Sequence, residues 1–251
     1  MRACFQRVTL AALGKRKPVS DPSIENPRVK RTHALFLVAV CFAVVAVLGL
    51  GVFTRFGPQM DLDGTVSETL YVGDQRPGFL YGLLQVLTEP GVTLFRVLVF
   101  LPVVVVLLVQ RRFTTALWVV IPILTIGPLN TLLKMTFGRV RPDFDKGGAL
   151  LDSLSYPSGH SSGITTLVAV GLLLVWPLVA HRVARRAVMA AGVTLVIVVG
   201  LTRMWLGVHF LSDVLGGWSL GLGWTVLVAT LLGGLPGHRA ALPRRQPAAV
   251  G

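Results

Sequence analysis

The sequence predicts an all-α protein, a polytopic membrane bundle of about six transmembrane helices, and two observations carry that expectation. Of 251 residues, 53% are hydrophobic and only 14% charged, with a mean hydropathy of +0.71, a balance typical of membrane proteins rather than water-soluble domains. The apolar residues also gather into six runs, each near the roughly 20 residues a helix needs to cross a bilayer.

The runs cover residues 34–53, 92–109, 115–133, 163–180, 187–202 and 214–234. The first follows a tail, 1–33, rich in Arg and Lys and holding Pro18, Pro22 and Pro27. No small-residue cleavage site follows it, so it is expected to remain as an anchor. The chain thus divides into a basic N-terminal tail (1–33), a six-span domain (34–235) and a basic C-terminal tail (236–251). Phe79 to Leu87 is apolar but too short to cross at about 1.5 Å per residue. It reads as an interfacial or re-entrant piece.

Six spans leave both termini on one side, and the distribution of cations says which. Lys15, Arg16, Lys17, Arg28, Lys30, Arg31, Arg111, Arg112, Arg182, Arg185, Arg186, Arg239, Arg244 and Arg245 all fall on that side, which the positive-inside rule makes cytoplasmic. The expected location is the plasma membrane, with both tails in the cytoplasm. A net charge of +13 would suggest nucleic acid in a soluble protein. Here the cations sit between apolar runs as topology signals, and no nucleic-acid partner is expected. Cys4 and Cys41 have neither disulfide-framework nor metal-ligand spacing.

The outer side receives an acidic loop, 54–91, and two loops, 134–162 and 203–213, that hold cations where topology predicts none. Lys134, Arg139, Arg141, Lys146 and Arg203 break the rule. Cations kept against a topological bias suggest a held anion. Of the five histidines, His160 and His209 share these loops, while His33, His181 and His238 lie beside cytoplasmic arginines.

Three clusters converge on this outer face: Lys134 to Pro142, Tyr156 to His160, and Thr202 to Asp213. Lys134, Arg141 and Arg203 can donate to a tetrahedral oxyanion. Ser158 is placed as an N-cap, and the free N–H groups of Gly159 and His160 at a helix N-terminus favour an anion. His209 and Asp213 stand four apart, so the carboxylate can fix one imidazole nitrogen and leave the other as a nucleophilic lone pair. Taken singly, each feature has a plainer reading. Arginines snorkel to headgroups, Pro-Ser-Gly is a common turn, and Trp118, Trp176 and Trp205 fit interfacial belts. Gly217 and Gly221 form a small-xxx-small pattern suited to close helix packing. What favours the functional reading is that three cations, two histidines and one carboxylate share one face.

At these residues the sequence resembles the type 2 phosphatidic acid phosphatase superfamily of lipid phosphate phosphatases, with its motifs KxxxxxxRP, PSGH and SRxxxxxHxxxD. Lys134 with Arg141 and Pro142 matches the first, Pro157 to His160 the second, and Arg203, His209 and Asp213 the third. Thr202 stands where the third motif usually opens with Ser. The resemblance implies a metal-independent phosphatase without cofactor, acting on a membrane lipid phosphate at the outer face. In that mechanism His209 attacks phosphorus, Asp213 supports it, and His160 protonates the leaving group. Lys134, Arg141, Ser158, Gly159 and Arg203 would hold the phosphoryl oxygens. Phosphatidate, phosphatidylglycerophosphate and undecaprenyl diphosphate remain alternative substrates, and the oligomeric state is left open. A phosphotransferase on the same scaffold is the nearest alternative. A transporter fits less well, because transporters place ionisable groups at mid-membrane and here Arg96 is the exception in otherwise apolar spans.

Overall fold

The computed structural model describes residues 27–243. Residues 1–26 of the expected N-terminal tail and 244–251 of the C-terminal one lie outside the described residues. The regular structure described is helical: α1 (Pro27–Phe53), α2 (Gly57–Leu70), α3 (Gly78–Thr88), α4 (Thr93–Val109), α5 (Phe113–Phe137), α6 (Gly159–Val175), α7 (Arg182–Trp205) and α8 (Leu211–Leu232). Helix α1 is described from Pro27 onward. It therefore takes in residues 27–33, which the sequence assigned to the tail.

Six helices fall on the six apolar runs, but they are not six equal crossings. α1, α5, α7 and α8 are each long and apolar enough to cross a membrane alone. α4 reaches that length only together with α3, the segment expected to be interfacial or re-entrant, and the two meet at a 48° bend. The break is the turn Glu89–Gly91; Pro90 brings no amide to continue the hydrogen-bond ladder. α6 has 17 residues and ends at Val175 rather than 180: Trp176 still has helical backbone, but Pro177 brings no amide to continue the hydrogen-bond ladder.

α8 forms the centre, packed chiefly on α1 and α6, while α6 also touches α5 and α7. Its small residues permit this. A Cβ at Gly217 would stand 2.6 Å from the Ser158 carbonyl oxygen, and one at Gly221 would stand 2.4 Å from that of Ser162. Most of α8 is buried, its glycines, serines and threonines included, whereas most of α1, α5 and α7 is not, as expected of lipid-facing helices. Trp118, expected in an interfacial belt, is instead fully buried in the core with Val119, Ile123, Val170 and Ala229. Its indole N–H donates to the Ala240 carbonyl at 3.1 Å, and Thr115 donates to the same oxygen. That pairing clasps the segment after α8 against the start of α5.

Candidate active site

The C-terminal ends of α5 and α7 meet the N-terminal ends of α6 and α8 at one end of the bundle. Gly138 stops α5 in the left-handed region at φ +62°, its N–H bonded to the Lys134 carbonyl. This places Lys134 in the last turn and turns the chain toward Arg139 and Arg141. Ser158 caps α6, accepting from the Ser161 amide at 3.4 Å and the Ser161 hydroxyl at 3.0 Å. Its own amide donates to the Asp213 carbonyl at 2.9 Å, and Asn130 of α5 donates to the Pro157 carbonyl at 3.2 Å. The start of α6 is therefore tied to both α5 and α8. Gly159 and His160 form its first turn.

Gly207, at φ +69°, makes the turn between α7 and α8. A Cβ there would lie 2.6 Å from the Tyr71 ring and 2.8 Å from that of Phe144. Gly207→Ala is expected to cost about 1–2 kcal/mol in backbone strain alone and to displace Arg203 and His209 on either side. Thermal unfolding in detergent checks it: melting like the parent would show that this turn tolerates a side chain.

His209 and Asp213 are both buried, and Asp213 occupies the third position of α8. From there its carboxylate folds back on the helix start, where acidic groups are stabilised. Oδ2 accepts the Phe210 amide at 2.9 Å, the His209 Nδ1–H at 3.2 Å and the Ser155 hydroxyl. Since the carboxylate oxygen only accepts here, the proton sits on Nδ1, and Nε2 keeps its lone pair toward Arg141 Nη1, 3.0 Å away. Burial, together with the cations Arg141 and Arg203, pushes the His209 pKa down to about 3, against the opposing pull of Asp213. The ring is a neutral base at ordinary pH.

Three cations gather at this end of the bundle, Arg141 against that lone pair. Lys134 Nζ donates to the Leu154 carbonyl. Arg141 spreads its guanidinium over the Ser153 carbonyl at 2.7 Å, the Ser153 hydroxyl at 2.9 Å and the Val208 carbonyl at 2.6 Å. Arg203 donates from Nη1 to Thr88 at 3.2 Å, and its buried Nε–H has no partner. None of the three has a carboxylate in ion-pair contact among the described residues. Such donors suit an anion with several oxygens.

Of the residues expected from sequence, His209, Asp213, Arg141, Lys134, Arg203, Gly159 and His160 gather at this end. Ser158 gathers too, with its hydroxyl oxygen serving as the helix cap. The sequence left Arg139 out of the site and gave Asp63, Ser155 and Thr88 no role. Arg139 in fact donates to Asp213 Oδ1 at 2.9 Å and to Asp63 Oδ2 at 2.7 Å. Its departure from the charge rule was the one available signal. Nothing in the spacing of the chain points from residue 63 to residue 139.

A buried histidine–carboxylate pair facing unpaired cations, carried on apolar helices, defines a membrane protein built around an anion-handling centre. A family model described as the PAP2 superfamily matches residues 113–235, which span this whole centre apart from Asp63 and Thr88, and the chain belongs to that superfamily. It is 41% identical over 99 residues to phosphatidylglycerophosphatase B of Bacillus subtilis, covering 38% of this chain and 46% of the relative. It is 31% identical over 166 residues to an undecaprenyl-diphosphatase of Sulfolobus acidocaldarius, covering 59% of this chain and 76% of the relative. The chain thus spans less than half the length of the first and about three quarters of the second. Its fold resembles the crystal structure of a transmembrane PAP2-type phosphatidylglycerolphosphate phosphatase from Bacillus subtilis. There the TM-score is 0.63 and the identity 26%, over 78% of this chain and 96% of that one.

Proposed function

We propose that this protein is a metal-independent lipid phosphate phosphatase working through a phosphohistidine. The observation that carries the reading is the His209 ring, held through Nδ1–H by Asp213 with Nε2 directed at Arg141. Nε2 attacks phosphorus and the bond from phosphorus to the lipid oxygen breaks. His160 gives that oxygen a proton, then takes one from water as the water attacks the phosphohistidine, releasing inorganic phosphate and restoring both rings. Lys134, Arg141 and Arg203, with the amides of Gly159 and His160 at the start of α6, hold the charge on the phosphoryl oxygens, the main task in phosphoryl transfer, while the Ser158 amide stays on the Asp213 carbonyl. Loss of phosphate contact by Arg141 or Arg203 would weaken both binding and turnover.

The names of the relatives and the apolar outer helices support a lipid substrate, with phosphatidylglycerophosphate and undecaprenyl diphosphate first and phosphatidate third. The cation distribution supports a plasma-membrane protein with both termini cytoplasmic and the site facing outward. The test is phosphate release by the purified protein in EDTA from each of the three lipids. Release from one names the substrate, whereas transfer of the phosphoryl group to another lipid would replace hydrolysis by a phosphotransferase.

A pH dependence of stability follows from His209. Its folded pKa of about 3 lies below the ordinary imidazole value near 6.5. The folded state thus binds fewer protons than the unfolded one between these values, and stability is full above about 6.5 and declines toward 3. Melting temperatures across that range should fall with acid, and His209→Gln should flatten the slope. An unchanged slope would show that His209 does not stay neutral in the fold.

A further inference from the structure

We infer that Asp63 and Arg139 are positioning residues that aim the Asp213 carboxylate at His209, an inference resting on the proposed phosphatase reading. The side chains of Arg139, Ser212 and Asp63 form a closed ring of hydrogen bonds, and Asp213 is joined to it through Arg139. Arg139 Nη1 donates to Asp213 Oδ1 at 2.9 Å and to the Ser212 hydroxyl at 2.6 Å, while Nη2 donates to Asp63 Oδ2 at 2.7 Å. Asp63 accepts the Ser212 amide on Oδ1 at 2.9 Å and the Ser212 hydroxyl on Oδ2 at 2.5 Å. The guanidinium also lies 4.0 Å over the Phe210 ring, which flanks His209 in sequence. Asp63 is 2% exposed, Arg139 8% and Asp213 0%.

The charge count makes this ring informative. One guanidinium is enough to offset Asp213, and burying a second carboxylate beside it is costly unless that carboxylate does something a neutral side chain would not. Arg139 lies on the loop after α5, where a long side chain has many rotamers. Asp63, fixed on α2, binds Nη2 and leaves Nη1 directed at Asp213. With Oδ1 held by Arg139, Oδ2 is the oxygen presented to His209 Nδ1–H, joined there by Ser155 and the Phe210 amide. The Nδ1–H tautomer follows, and with it the lone pair on Nε2. A ring that merely clamped α2 to α8 would influence melting but would leave the tautomer and the balance of kcat and KM alone.

The test uses the full-length protein in detergent with Asp63→Asn, Arg139→Gln and Arg139→Lys. Outer partners that orient a metal-ligating histidine are worth about 10- to 100-fold in activity, and a loss on that scale is expected where the oriented ring is a nucleophile. Asp63→Asn should lower kcat by that factor while leaving KM and the inhibition constant of inorganic phosphate unchanged. Arg139→Lys, which keeps a cation between the carboxylates, should recover part of the loss seen in Arg139→Gln. Nitrogen-15 spectra of histidine-labelled protein, with His209 assigned by His209→Gln, should show one ring tautomer in the parent and a mixture in Asp63→Asn. Unchanged kcat, a rise in KM alone, or an unchanged tautomer would each overturn the inference. If Asp63→Asn does not fold, the two Arg139 variants carry the same comparison. The spectra need no turnover, so a parent protein releasing phosphate from no lipid would defeat the phosphatase reading, while the tautomer comparison still decides the positioning role.

Discussion

Phosphate release is expected to fall by about four orders of magnitude or more in His209→Ala, as when the nucleophile of an interlocked catalytic set is removed. Among the described residues beside His209, none is placed as it is, with a carboxylate on Nδ1 and the lone pair of Nε2 at Arg141. Ser155 is bound to Asp213, and Lys134, Arg141 and Arg203 are protonated donors rather than nucleophiles. The three cations remain in the variant, so inorganic phosphate should still compete for the site. Loss of turnover with retained phosphate binding is therefore the expected pattern. Rapid-quench labelling with a radioactive lipid phosphate checks the same step directly, since the parent should carry an acid-labile phosphoryl group that the variant lacks. A variant within about tenfold of the parent rate would remove His209 from the nucleophilic role.

Much of this arrangement was legible in the sequence because membranes impose a strict requirement on helix length and composition. The six apolar runs stood out for that reason, and Gly217 and Gly221 announced close packing before α6 was seen against them. His209 and Asp213 were legible because four residues at a helix start span one turn. Other features depend on contacts that leave no periodic trace. The break at Glu89–Gly91 is reinforced by packing: a Cβ at Gly91 would stand 2.8 Å from the His160 carbonyl oxygen, a contact between segments about 70 residues apart. α6 can be short because neighbouring helices surround it. Trp118 is buried because the segment after α8 folds back to accept its indole N–H. Asp63 looked like one more acid in an acidic loop. Only the fold of α2 against the start of α8 gives it a partner, and a sequence read for local spacing has no access to that pairing.

The second large effect concerns His160, for which alanine should lower turnover of a lipid substrate by about 10²- to 10⁴-fold, the range for a lost general acid. The size of the loss should depend on the leaving group. A lipid alcohol is a weak acid and leaves poorly without a proton, so its departure relies on the imidazolium. Nitrophenolate is a far weaker base and can leave unprotonated. On a nitrophenyl phosphate small enough to enter, His160→Ala should lose much less in the first step, and the release of nitrophenol should show a burst as the phosphohistidine waits for an unactivated water. His209→Ala should show no such discrimination, because without the nucleophile both substrates fail at the same bond. Equal losses in His160→Ala on the two substrates, with no burst, would mean that His160 holds phosphate or shapes the start of α6 rather than moving a proton.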